Sequence, residues 1–379
     1  MIKVGIEKID EYLHLFEGKK VGLITNQTGV DSNLKTTVDI LMGKVDLIAL
    51  YSPEHGIRGD IQAGEKLDTY IDDVTNLPVY SLYGETRKPT EEMLKGVEVL
   101  CFDIQDVGAR FYTYIYTMAY AMMAAAEHNI EFVVFDRPNP LGGTKIEGNI
   151  LDLKYRSFVG YYPILQRHGL TIGELANMFN DEFGINTKLE VVKVEGWKRD
   201  VELIDTDMKF VLPSPNLPTK ESLYTYLATC YFEGTNVSEG RGTTKPFSFF
   251  GAPWLDNRKL IDELKEHNFD GVMFREAYFT PVFSKHKDEL CRGVELIVTD
   301  YKKFSPVILG MTLIKIIEKN HEEFEFRGPW SRGGQPMINL LTGSNYLFEN
   351  TLSLDEIKEL FKKDQEEFAK LKGRYHLYD

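Results

Sequence analysis

Much of what gives protein families their signatures is missing from this chain. Its 379 residues contain only three cysteines, Cys101, Cys230 and Cys291, far apart and odd in number. They offer no disulfide framework and no zinc-ligand spacing, and read as reduced, mostly buried thiols. There is no EF-hand loop, and no G-x-S-x-G elbow to mark a serine hydrolase. Neither the G-x-x-x-x-G-K-[ST] phosphate loop nor G-x-G-x-x-G after the first strand is present, so nucleotide binding is not expected. Positive charge is scarce. With 44 Lys and Arg against 58 Asp and Glu, the formal net charge is -14, which argues against nucleic acid and against docking on anionic lipid. No run approaches the roughly 18 apolar residues of a membrane span. The N-terminus has no apolar h-region and no small-residue cleavage site. As the sequence stands, the expectation is a cytoplasmic protein, and a secreted or cell-envelope one if a leader has been removed. Repeats and low-complexity segments are absent. No metal and no cofactor is expected, and oligomeric state is left open.

What is present begins with ordinary globular composition, 43% apolar and 27% charged residues. That length suffices for one large or two ordinary domains. The first 150 residues alternate apolar runs with helical patterns. VGLIT (21–25), VDLIALY (45–51), LPVYSLY (77–83), VEVLCFDI (97–104) and EFVVFD (131–136) read as strands. Segments 34–42, 91–95 and 114–128 read as helices. Nearly continuous apolar strands suit a parallel sheet covered on both faces. The expectation is a Rossmann-like, doubly wound α/β domain over 1–150, followed by a smaller α+β domain over 151–379 that completes a cleft. In the second part, helices are expected at 171–183, 257–267, 306–319 and 354–370, and strands at 189–194 and 294–298.

In a doubly wound sheet, ligands bind beyond the carboxyl ends of the strands. Glu54 and His55 follow the second apolar run, and Glu85 and Arg87 the third. Asp103, Gln105, Asp106 and Arg110 end the fourth; Asp136, Arg137 and Asn139 end the fifth. All four clusters are expected on one rim. The densest is FDIQDVGARFYTYIY (102–116), which mixes carboxylates, an arginine and aromatic rings as a pocket for a polar ring would.

Each group has a second, plainer reading. Glu54, between a strand end and two glycines, is either a general acid kept protonated by burial or a surface glutamate paired with Arg58. His55 either bonds a sugar or is structural. Asp103 and Asp106 could work as an acid/base pair, or satisfy backbone donors and pair with Arg110. Arg110 could grip a carboxylate with two parallel hydrogen bonds. Tyr112 and Tyr114 could stack on a sugar face or pack in a core. Glu233, Glu239 and Arg241, in EGTNVSEGRGTTKPF (233–247), are either site groups or members of a structural loop. In RHGLTIGELA, Thr171 and Glu174 form a capping box, and His168 stays open.

These segments resemble the NamZ-type exo-β-N-acetylmuramidases, a glycoside hydrolase family of peptidoglycan recycling. The likeness runs through SPEHGIRG, YGETRKPT, FDIQDVGARFYTYIYTM, DRPNPLGG, SFVGYYPILQRHGLTIGELANMFN, PSPNLPT, FEGTNVSEGRGTTKPFSFFGAPW, FTPVFSKH and CRGVEL, and covers nearly the whole chain. It implies two domains with the site at their interface, and removal of terminal β-linked N-acetylmuramic acid from the non-reducing end of peptidoglycan fragments. The glutamate of SPEHG, the family's proposed catalytic residue, falls on Glu54. Asp106 or Glu239 is the candidate second group, or the substrate's acetamido oxygen attacks while Asp103 or Asp106 orients it. Arg58, Arg110 and Arg241 are candidates for the lactyl carboxylate. The rival readings are a non-catalytic muropeptide or amino-sugar binding protein, and a peptidoglycan amidase or esterase. Relatives of this type are commonly exported, a departure for a chain without a recognisable leader.

Overall fold

The structure is a computed structural model and describes residues 2–59, 69–84, 86–329 and 333–379. A seven-stranded sheet forms its first layer. The strands are β1 (Lys20–Thr25), β2 (Asp46–Ser52), β3 (Tyr70–Ile71), β4 (Pro78–Ser81), β5 (Val99–Asp103), β6 (Glu131–Phe135) and β7 (Leu189–Val192). Their order is β3-β4-β2-β1-β5-β6-β7, with every pairing parallel except β3 against β4. Without the short edge strand this is the doubly wound order. Strand β5 is buried along its whole length, as its unbroken apolar run requires. Helices α1 (Thr37–Met42), α2 (Tyr114–Glu127) and α3 (Ile172–Glu182) flank the sheet. The Thr171–Glu174 capping box opens α3 as the sequence indicates.

The boundary expected at residue 150 falls too early. Strand β7 pairs with β6 and extends the first sheet beyond it, because Val191 and Val192 find their buried partners there. Segment 91–95 forms turns, not a helix: Pro89 and Gly96 leave too few residues to repay nucleation.

The second part holds α4 (Lys220–Thr229), α5 (Asn257–Glu266), α6 (Pro306–Asn320), α7 (Met337–Thr342) and α8 (Leu354–Gly373). With them stands an antiparallel sheet of β8 (Phe249–Ala252), β9 (Val272–Phe279) and β10 (Cys291–Val298), in the order β8-β10-β9. Helix α4 escapes the sequence reading because Ser222 to Thr229 are all buried, leaving no polar face to give a helical period.

The crevice where nucleotides sit in such sheets lies between β1 and β5, and here the chain itself closes it. Thr25 Oγ1 donates to the Asp103 carbonyl at 2.8 Å, and the Gln105 N–H donates to Thr28 Oγ1 at 2.9 Å. A Cβ at Gly29 would stand 2.2 Å from Thr25 Oγ1 and 3.0 Å from the Asp103 oxygen, so only glycine fits. The open space lies to one side, over β2, β4 and the start of α2.

Candidate active site

A cavity of about 920 Å³ lies there. The first part of the chain lines it with Glu54, His55, Tyr83, Arg87, Tyr112, Thr113 and Phe158, and the second part with Tyr226, Glu233, Glu239, Arg241, Lys285 and Arg327. Glu54 is placed by the turn after β2, where His55 takes a left-handed φ of 76° and Gly56 follows with the same value. A side chain resists that conformation by about 1 kcal/mol, so the turn is held by its surroundings. Half-buried Glu54 accepts a hydrogen bond from Thr113 Oγ1, at the start of α2, at 3.3 Å. The Tyr83 hydroxyl is held well above its ordinary pKa, first by burial and then by the Glu54 carboxylate beside it. Tyr83 therefore keeps its proton and acts as a donor.

In the second part of the chain, Arg241 reaches Glu233 at 2.7 Å and Glu239 at 3.1 Å, and Lys285 reaches Glu239 at 2.7 Å. Burial works against a charged Glu239, but Lys285 and Arg241 outweigh it and hold the carboxyl below its usual range. Burial likewise opposes the Arg241 charge, and Glu233 and Glu239 overcome it and raise its pKa. Lys285 Nζ also donates to the Thr235 carbonyl at 3.1 Å and the Val237 carbonyl at 2.6 Å, which fixes the loop carrying Glu239. Glu239 is thus a permanent anion in a rigid frame.

Of the residues singled out by sequence, the structure brings Glu54, His55, Tyr112, Glu233, Glu239 and Arg241 to this cavity. The others stand elsewhere. Arg110, fully buried, donates to the carbonyls of Asn149, Ile164, Leu341 and Thr342, so it cannot read a substrate. Arg58 pairs with Asp72 at 2.7 Å, not with Glu54. Asp103 forms a two-pronged ion pair with Arg137 and accepts from Thr37, which removes both from any acid/base role. Asp106 accepts from the Gly108 N–H at 2.8 Å and faces His168 Nε2 at 3.5 Å; His168 Nδ1 accepts from the Leu170 N–H. Both lie behind the wall. Asp136 accepts from the Arg137 and Gly173 amides and from Thr171 and Tyr378. Asn139 donates to the Leu170 carbonyl, and Gln105 to those of Asp106 and Pro138. Tyr114 spends its hydroxyl on the Pro213 carbonyl and turns into the core, edge-on to Tyr112 at 4.8 Å. Glu85 lies outside the described residues.

The single-rim expectation therefore holds for the loops after β2 and β4 and for the end of the loop after β5, where Tyr112 and Thr113 reach the cavity, while Asp103, Gln105, Asp106 and Arg110 and the loop after β6 serve as scaffold. Sequence reasoning missed Lys285, Arg327, Phe158 and Tyr226 as site residues; it placed Arg87 on the binding rim, where the cavity has it, without giving it a role. Its one signal for Lys285 and Phe158 was that FTPVFSKH and SFVGYYPILQ pack aromatics beside polar groups in loops too long to be mere connections. Among the described residues, no group of three His, Cys, Asp or Glu side chains could hold a metal ion.

Family models for the N-terminal and C-terminal domains of exo-beta-N-acetylmuramidase NamZ match residues 21–221 and 224–378. The division falls within the first turn of α4, and the cavity is lined from both matched halves. A Bacillus subtilis protein described as peptidoglycan beta-N-acetylmuramidase NamZ is 51% identical over 384 residues, covering 100% of this chain and 91% of its own. Two crystal structures from Bacteroides fragilis, described as members of a family of unknown function, share the fold over 100% of this chain and 99% of theirs. Their TM-scores are 0.89 and 0.79, at 40% and 34% identity.

Proposed function

The chain belongs to the exo-β-N-acetylmuramidase NamZ family, a family of glycosidases, and from that premise we propose that it releases β-linked N-acetylmuramic acid from the non-reducing end of peptidoglycan fragments, with Glu54 as the acid. The observation that carries this reading is one cavity, sized for an oligosaccharide end, lined by Glu54 from one matched half and by Glu233 and Glu239 from the other. In the proposed step, Glu54 gives its proton to the glycosidic oxygen as the bond to the anomeric carbon breaks through an oxocarbenium-like transition state. The leaving sugar departs as a neutral alcohol. Water delivers hydroxide to the anomeric carbon, and its proton returns to a carboxylate of the site. Thr113 and Tyr83 donate to Glu54 and hold its orientation.

Glu239 is the reading's second carboxylate, because Asp103 and Asp106 do not line the cavity. Fixed in the ionised form by Lys285 and Arg241, it offers negative charge to the developing cation without having to lose a proton first. The test is incubation with a defined β-linked tetrasaccharide that begins with N-acetylmuramic acid, followed by mass spectrometry. The expected first product is the free monosaccharide with a shortened remainder. Cleavage at internal bonds, or removal of peptide instead of sugar, contradicts the proposal. Tight binding without turnover supports the sugar-binding rival.

A further inference from the structure

Charge in the cavity runs opposite to that of the protein. Among the described lining residues stand four cations, Arg87, Arg241, Lys285 and Arg327, and three carboxylates, Glu54, Glu233 and Glu239, in a chain whose net charge is -14. Arg241 and Lys285 are absorbed by Glu233 and Glu239. Arg87 and Arg327 pair with no described carboxylate, and Arg327 belongs to the second matched half, where its backbone N–H donates to the Gly234 carbonyl next to Glu233. Arg87 stands on the Glu54 side: its guanidinium lies 4.2 Å from the centre of the Phe158 ring. Phe158 in turn lies 6.2 Å from Tyr83, whose hydroxyl is beside Glu54 and within the field of Arg87. A continuous wall thus runs from the proposed acid through Tyr83 and Phe158 to Arg87.

We propose that Arg87, stacked on Phe158, is the specificity-determining group that binds the lactyl carboxylate of the sugar whose glycosidic bond is cut. This rests on the glycosidase reading above and replaces Arg58, Arg110 and Arg241 in that role. The lactyl group sits on the ring that loses its bond, so its reader must share a wall with the acid, as Arg87 does. Stacking fixes the plane of the guanidinium and leaves its N–H edge to face a carboxylate in two parallel hydrogen bonds. A sugar without the lactyl group leaves that edge unanswered, and discrimination follows. Phe158 is a positioning residue: it is buried and sets where the guanidinium lies.

The experiment compares kcat/KM for chromogenic β-N-acetylmuraminide and β-N-acetylglucosaminide in the parent, Arg87→Gln, Arg87→Lys and Phe158→Leu proteins. For Arg87→Gln the muraminide-to-glucosaminide ratio is expected to fall about 10- to 100-fold, the weight of a hydrogen bond to a charged group. Arg87→Lys is expected to restore only part, since it returns the charge without the fork. Phe158→Leu is expected to reduce the ratio while Arg87 remains. An unchanged ratio in Arg87→Gln overturns the proposal even though the enzyme reading stands. If the parent hydrolyses neither glycoside, the enzyme reading fails and calorimetry decides the inference separately. Loss of preference for N-acetylmuramic acid over N-acetylglucosamine in Arg87→Gln then upholds it, and retention overturns it.

Discussion

Replacing Arg110 by methionine separates a scaffold arginine from a substrate arginine. Its guanidinium is fully buried and places four hydrogen bonds on backbone carbonyls, at 2.8 Å to Asn149, 2.8 Å to Ile164, 3.1 Å to Leu341 and 2.7 Å to Thr342. Two of those acceptors lie in the first matched half and two in the segment ending α7, so one side chain ties the halves together. Methionine fills much of the volume but makes none of the four bonds; the Thr342 carbonyl keeps donors in Asn149 and Gln166, while those of Asn149, Ile164 and Leu341 lose the guanidinium. At a net of about 1 kcal/mol per bond, the loss comes to about 3–5 kcal/mol. An unfolding entropy that scales with 379 residues converts this to a melting temperature about 4–6 °C lower. The assay is thermal unfolding by circular dichroism, paired with the muraminide-to-glucosaminide ratio measured well below the transition. The expected result is reduced stability with a ratio within about twofold of the parent, the small change expected at a site remote from the ligand. Unchanged stability with a collapsed ratio refutes the assignment and returns Arg110 to the substrate.

Further outcomes follow from the same geometry. Lys285→Met leaves the buried Glu239 with Arg241 alone and takes the ammonium from the Thr235 and Val237 carbonyls, while the Phe232 carbonyl keeps its bonds from Thr235, and chemical denaturation is expected to register about 3–5 kcal/mol of lost stability. No loss means that Glu239 does not need its second cation. Asp136, whose pKa burial raises from 3.8 to about 7, keeps its proton in the folded protein over a range where the unfolded chain has released it. Its contribution is complete below pH 3.8 and fades as pH rises through about 7. Asp136→Asn is therefore expected to flatten the fall in melting temperature between those limits, and an unaltered slope contradicts the assignment.

The fold was legible because its strands are continuous apolar runs separated by helical periods, a pattern only a sheet covered on both faces explains. The site was legible in part. Glu54 stood out because a carboxylate between a strand end and two glycines has few structural uses, and Glu233, Glu239 and Arg241 because glycine-rich polar loops seldom serve packing alone. Arg110, Asp103, Asp136 and Asn139 misled for a common reason: in sequence, a buried charge that satisfies the backbone looks the same as one that awaits a ligand. Only coordinates show that Asp103 meets Arg137 and that Arg110 meets four carbonyls. Lys285 was overlooked for the opposite reason, since a lysine in a polar loop usually marks a solvated surface, and Arg87 was placed on the rim without a role. What gives them a site is long-range: Lys285 reaches back to Glu239, and Arg87 across to Phe158. Helix α4 stayed hidden because burial on every side erased its period.

Whether Glu54 donates the proton is decided most directly by how the cost of Glu54→Gln depends on the leaving group. A sugar alcohol needs protonation to depart, whereas a nitrophenolate does not. With a disaccharide substrate, kcat is expected to fall by about 10²- to 10⁴-fold, the range of general acid catalysis, and with the nitrophenyl muraminide by far less. An equal loss on both substrates would assign Glu54 some other task, and an undiminished rate on the disaccharide would remove it from the chemistry altogether.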